Sequence, residues 1–253
     1  MSWLDGIIKV GREAITSNLG KTLVKTAVLG FLINRLRRNA LKDNNPKNDN
    51  IDAGVRLQIP PASDVKIPVL YGTAVTGGII SDAVMSNNNK RMTYCLTISE
   101  KTGTLLSTGG ASAYTFQNIY WNDQQVTFKA DGFTVDYTVD RDSNQDISLR
   151  DLVKIYCYAG NASTPSIPQG YTNASYPAAY TVMPGWALAT HIMSDLIFVV
   201  IEVNYNREKN VTGIGDMRFK IQNSMNKPGD VLNDMLTSTR YGAGLSAGEV
   251  YQS

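Results

Sequence analysis

The sequence predicts a mainly β protein, a β-sandwich or barrel-like body with a helical arm at its N-terminus and a short helix near its C-terminus. Three observations carry that class. From about residue 53 onward apolar residues recur with the two-residue period of strands, whereas before residue 43 they follow a helical period. Tyr outnumbers Phe by 13 to 6, in the company of many Asn, Thr, Ser and Gly, which suits strands and turns. Apolar residues make up 43% and charged ones 18% of 253 residues, enough to bury a real core.

Residues 1–42 are predicted as the arm, in two helical pieces. In the first, Trp3, Leu4, Ile7, Ile8, Gly11, Ala14 and Ile15 form an apolar stripe opposite Asp5, Lys9, Arg12, Glu13 and Thr16. Asn18-Leu-Gly20 provides a stop or bend. In the second, Val24, Ala27, Leu29, Phe31, Leu32 and Leu36 point all round the axis, so that helix needs partners on several sides. Its charge-free run, Thr26 to Asn34, is far short of the ~20 residues that span a bilayer, and no membrane span is expected. Arg35, Arg37 and Arg38 then suit a helix C-terminus. Residues 43–52 are polar and turn-rich and read as a linker, leaving 53–253 as the β-rich domain.

Within that domain, strands are predicted at Val55–Ile59 and Ile67–Tyr71, separated by Pro60-Pro61, and at Met92–Ser99. Ile119 to Phe128 reads as a hairpin turning at Asn122-Asp123, two residues that tolerate positive φ. Phe133, Val135, Tyr137 and Val139 alternate with polar residues, and Val153, Ile155 and Cys157 repeat the pattern. Leu196–Val203 is almost all β-branched or aromatic and is predicted as a central strand buried on both faces. Arg218–Gln222 is a further strand. The stretch from Ala159 to Met183 lacks periodicity, and a loop of that length is usually functional or packed against a partner. The closing helix starts at Pro228, whose missing N–H is harmless in a first turn, with Asp230 suited to the helix dipole. Val231, Met235 and Leu232 or Leu236 are expected to form its apolar face, and Gly242 and Gly244 to permit unusual backbone angles.

Little in the chain points to catalysis. His191 stands alone, without a second histidine or a nucleophile at a recognisable spacing, and reads as structural. No phosphate-binding or dinucleotide fingerprint occurs, and no cofactor is expected; Gly213-Ile-Gly215 reads as a turn. Asp140, Asp142, Asn144 and Asp146 alternate as calcium ligands can, but Gln145 stands where a calcium loop needs glycine, so a solvated turn is the simpler account. Cys95 and Cys157 lie in apolar runs and are expected as buried thiols. The three Asn-x-Ser/Thr acceptor patterns, at Asn161, Asn173 and Asn210, are put down to chance, since no secretory leader is expected. A net charge of +2, and aromatic strands without an interleaved basic stripe, give no reason to expect a nucleic-acid partner.

Three places in order resemble the central tail-tip (hub) proteins of long-tailed, lambda-like bacteriophages. They are Ile67-Pro-Val-Leu-Tyr-Gly-Thr-Ala-Val-Thr-Gly-Gly78; Leu96-Thr-Ile-Ser-Glu-Lys-Thr-Gly103 with the hairpin from Phe116 to Val126; and Asp234-Met-Leu-Thr-Ser-Thr-Arg-Tyr-Gly242. Short structural proteins of T4-like phages of cyanobacteria are similar in kind. The resemblance implies a non-enzymatic subunit of a tail tip or baseplate, in the virion and, during assembly, in the host cytoplasm. It implies a homo-oligomeric ring, a trimer or alternatively a hexamer, contacting other tail or baseplate proteins. In the hub proteins much more chain follows the third place, so this chain is expected to keep the ring-forming half only. The arm has no counterpart in them, and suits insertion into a neighbouring subunit. Trp3, Leu4, Ile7, Ile8, Phe31 and Leu32, with Arg240 and Tyr241 of the closing turn, are the expected interaction residues. The alternative is a particle-borne or secreted receptor- or glycan-binding module acting through the 159–183 loop and exposed tyrosines.

Overall fold

In the computed structural model residues 66–250 are described; the arm, the linker and the predicted strand at Val55–Ile59 lie outside the described residues, as do the interaction candidates Trp3, Leu4, Ile7, Ile8, Phe31 and Leu32. The strands within it form two antiparallel sheets. In chain order they are β1 (Thr73–Thr76), β2 (Ile79–Ser86), β3 (Arg91–Glu100), β4 (Tyr114–Trp121), β5 (Gln124–Phe128), β6 (Val135–Val139), β7 (Gln145–Asp146), β8 (Val153–Ala159), β9 (Leu196–Asn204) and β10 (Met217–Asn223). One sheet runs β1-β10-β4-β5-β6-β7, the other β2-β3-β9-β8. Helices are short: α1 (Ala179–Val182), α2 (Pro228–Thr237) and α3 (Ala247–Val250). The mainly β class and the short C-terminal helix predicted from sequence are what the structure has.

Alternation builds the core between the sheets. Leu96 and Ile98 of β3, Ile155 of β8 and Ile197, Val199 and Ile201 of β9 meet Phe116 and Ile119 of β4 and Phe219 and Ile221 of β10, all buried. β9 is the central, doubly buried strand that its composition predicted, paired with β3 on one side and β8 on the other. Its second face, with Phe198 and Val200, is covered by the segment after β8. Ala162, Tyr176, Ala179 and Met183 settle there against Cys95, Tyr156 and Tyr158. Within this second core Tyr158 stacks on Phe198 with ring centres 5.0 Å apart. The Tyr176 hydroxyl accepts the backbone N–H of Cys157 at 2.8 Å, and the Tyr158 hydroxyl donates to the Pro177 carbonyl at 2.9 Å. The long aperiodic loop is thus a cover for its own sheet.

The hairpin turns at Asn122 and Asp123, whose φ values are 48° and 64°, as the sequence predicted. Ile67–Tyr71 is not a strand as expected. Pro68 has no N–H to give a ladder, and the segment makes one isolated bridge, Val69 to Glu100. The sequence pattern also fails to show β1, β2 and the first half of β4. In β4 the pairing with β10 shifts between Phe116 and Asn118, so the inward set changes parity from Tyr114 and Phe116 to Ile119 and Trp121. A strand with a bulge does not alternate cleanly. β1 and β2 belong to different sheets, and the chain crosses between them at Gly77-Gly78. A Cβ on Gly78 would lie 2.8 Å from the Leu96 Cβ, so glycine permits that close crossing.

Candidate functional site

The closing helix α2 is turned inside out relative to its predicted packing. Its buried residues are Asp230 and Asp234, 3% and 4% exposed, while Leu232 and Met235 are 59% and 53% exposed. Asp230 and Asp234 are one turn apart and therefore share a face; Leu232 and Met235, three apart, share another. Of the expected apolar face, Leu232 and Met235 point away from the body of the domain, whereas Val231 and Leu236 are half-buried. The reason is that the surface beneath offers hydrogen-bond donors.

Those donors come from widely separated parts of the chain. The Asp234 carboxylate accepts the Tyr71 hydroxyl, the Tyr241 hydroxyl and the Gly103 backbone N–H, each at 2.8 Å. Asp230 accepts the backbone N–H of Ser107 at 2.7 Å and its hydroxyl at 2.8 Å. A carboxylate with several donors can be buried as the ion. The Ser107 hydroxyl, then the Ser107 N–H, holds the Asp230 carboxyl below its ordinary value. Burial, then the bond to Asp234, pushes the Tyr71 and Tyr241 hydroxyls well above the usual tyrosine value, so both stay donors. Gly103 is needed for its approach, because a Cβ there would lie 2.8 Å from Asp234 Oδ1.

A second buried knot lies beside this one. Asn223, fully buried at the end of β10, donates to the Leu70 carbonyl at 2.7 Å and accepts the Met225 N–H at 2.9 Å. The Gly72 N–H donates to the Met225 carbonyl, and the Asn223 N–H to the Gly72 carbonyl. The Tyr114 hydroxyl accepts the Thr102 N–H at 3.0 Å. The segments Leu70–Gly72, Thr102–Ser107, Asn223–Met225 and α2 are therefore one hydrogen-bonded unit.

The turn after α2 closes the helix. Ala243, Leu245 and Gly244 donate their N–H groups to the carbonyls of Met235, Leu236 and Ser238, which a helix end would otherwise leave unpaired. Gly244 has φ +68°, as its glycine suggested. Gly242 instead provides space, since a Cβ there would collide with the Met235 carbonyl oxygen. Arg240 reaches back to Glu100 Oε2 at 2.6 Å and Asp195 Oδ2 at 3.2 Å. Arg240 and Tyr241 are thus both engaged within the domain, one at the end of β3 and the other on Asp234.

The other predicted residues are scattered. Asp140 turns its carboxylate onto its own loop, accepting the N–H groups of Asp142 and Asn144 and the Asn144 side-chain amide. Asp146 does the same with Ser148. No group of three or more His, Cys, Asp or Glu able to hold a metal ion occurs among the described residues. His191 stacks on Trp186, with ring centres 5.1 Å apart, and its Nδ1 lies 2.7 Å from the Thr190 hydroxyl. Cys95 and Cys157 are free and buried, as expected. No described helix is long and apolar enough to cross a membrane. No protein-family model matches the chain, and no curated protein is detectably similar to it.

Sequence reasoning names Arg240 and Tyr241 but misses Asp234, on which the site is centred. A signal exists in the i, i+4 spacing of Asp230 and Asp234 opposite Leu232 and Met235. The helix dipole accounts for one acidic residue in the first turn, Asp230, but not for a second a turn later.

Proposed function

We propose that this chain is a structural subunit of a bacteriophage tail tip or baseplate, forming a ring through subunit contacts with α2 as one contacting element. The observation that carries the reading is the inverted helix. Two carboxylates anchor α2 to the body while Leu232 and Met235 face outward, an arrangement that puts apolar surface where a neighbouring subunit can cover it. Further support comes from the three places that resemble hub proteins, which meet at one point: Tyr71 belongs to the first, Gly103 to the second, and Asp234 and Tyr241 to the third. The ring is a trimer, or alternatively a hexamer, with other tail or baseplate proteins as neighbours and residues 1–41 reaching into one of them.

Electron microscopy of particles carrying a labelled chain tests this reading. Label at the distal end of the tail, lost when residues 1–41 are removed, is the expected result. Label on the capsid, or a chain that remains monomeric at all concentrations and is indifferent to that truncation, would overturn it.

A further inference from the structure

A cleft of about 290 Å³ opens at one end of the six-stranded sheet, between the β4–β5 turn, β6, β7 and the loop before β10. A shallower extension of about 130 Å³ continues past Gly215. Trp121 lines both parts and is only 6% exposed. Its indole N–H is not among the buried polar atoms left without a partner, and no described residue accepts a hydrogen bond from it, so it is open to solvent at the cleft. Gly215 lies against that edge of the ring. A Cβ there would sit 2.6 Å from Nε1 and 2.7 Å from Asn122 Oδ1. Its backbone is not in the left-handed region, so the glycine is explained by space and not by a turn.

Other lining groups are set to present hydrogen bonds. The Thr138 hydroxyl donates to Gln124 Oε1, which leaves the Gln124 amide N–H groups as donors. Asn122 Oδ1 accepts the Asp216 N–H at 2.8 Å, which leaves its NH₂ likewise. Asp146 is fixed by Ser148 but keeps acceptor capacity, and the ammonium of Lys209 has no carboxylate partner among the described residues. Asn210 stands exposed at the rim.

We infer that this cleft binds a neutral saccharide, one or two sugar rings, with the Trp121 N–H as a donor beside Gly215, in the shallower extension. Sugar hydroxyls donate and accept at once, and so match a wall of amide, indole and ammonium donors facing a carboxylate. Asp146 and Lys209 bring opposite charges to the same lining, which favours a neutral ligand over either ion, and an apolar ligand would leave these groups without partners. The volume lies at the lower edge of the ~300–1,000 Å³ range of small-molecule sites, which limits the ligand to about that size. The ring is too buried to act as a stacking platform, so recognition is by hydrogen bonds. This is the ligand class that the alternative sequence reading assigned to the 159–183 loop. That loop's Tyr176 is packed in the second core, and the cleft draws its residues from elsewhere. The site shares no residue with α2, so its failure would leave the assembly reading untouched.

The test uses the full chain against an array of neutral hexoses, N-acetylhexosamines and their disaccharides, with acidic sugars and inorganic phosphate alongside. Hits are titrated by tryptophan fluorescence and saturation-transfer NMR. Saturable binding of at least one neutral saccharide is expected, weakened roughly tenfold in Trp121→Phe, which keeps an aromatic ring and loses the N–H. No neutral binder at millimolar concentration, a preference for acidic sugars or phosphate, or full affinity in Trp121→Phe would each overturn it. If Trp121→Phe lowers the melting temperature, the exposed double variant Lys209→Ala/Asn210→Ala decides instead: several-fold weaker binding is expected, and unchanged affinity overturns the assignment.

Discussion

Asp234 gathers two tyrosine hydroxyls and one backbone N–H from residues up to 163 positions away in the chain. Asp234→Ala leaves all three donors without their acceptor. A loss of about 1–3 kcal/mol in a urea titration is expected, from three bonds to a buried carboxylate whose donors are themselves only part-buried. Asp230 makes a different prediction, about acid. Its folded carboxyl releases its proton more readily than an unfolded one, because the Ser107 hydroxyl and N–H bind the ion. Its stabilisation is therefore complete above the ordinary value of 3.8 and is lost as pH falls through the lower folded value. Ser107→Ala removes the larger of the two contributions, so its stability should fall less steeply below that pH than the wild type's. Equal acid slopes in urea titrations of the two proteins would show that Asp230 is not titrating in this way.

At the scale of the element, α2 inverts the rule by which an amphipathic helix is read. Two of its apolar residues, Leu232 and Met235, mark an outward face because the body beneath supplies N–H and O–H groups to Asp230 and Asp234. Leu232→Ser with Met235→Ser should leave the melting curve of the dilute protein nearly unchanged, within about 0.5 kcal/mol, because both side chains are already exposed. The same pair should shift sedimentation at high concentration toward smaller species. A large destabilisation would mean that these side chains pack inside the domain. The elements legible in the sequence are those whose pattern depends on local chemistry alone. β9 announces itself by its unbroken β-branched run, and the β4–β5 turn by Asn122-Asp123. What stays hidden depends on partners distant in sequence. The bulge in β4 breaks its alternation, the crossing at Gly77-Gly78 has meaning only against Leu96, and Asp234 is explained only by Tyr71 and Gly103.

On the scale of the whole domain, the structure is a pair of cores sharing one sheet, and the two free thiols sample them separately. Cys157 belongs to the inter-sheet core with Leu96, Phe116 and its β9 pairing partner Val199, whereas Cys95 belongs to the second core beneath the 160–195 cover. Burial raises both thiols well above their ordinary value, which suppresses the reactive thiolate as long as each core stays closed. Exposing Cys157 requires the two sheets to part, because its strand β8 is paired along its length with β9. Exposing Cys95 requires only that the cover lift from the outer face, and the cover is mostly loop with a single short helix, α1. Local openings cost less than global ones, and segments with little regular structure open first. In native buffer an alkylating reagent should therefore modify Cys95 faster than Cys157, as read by mass spectrometry of the digested protein. Low urea should leave the Cys95 rate nearly constant, while the Cys157 rate should rise with the full urea dependence of global unfolding. Tyr176→Phe sharpens the contrast. It leaves the buried Cys157 N–H without the hydroxyl that accepts it, and it loosens the cover from which Tyr176 projects. Labelling of Cys95 should then accelerate by more than that of Cys157. Equal rates for the two thiols in the wild type, with the same urea dependence, would mean that the cover and the sandwich open as one unit.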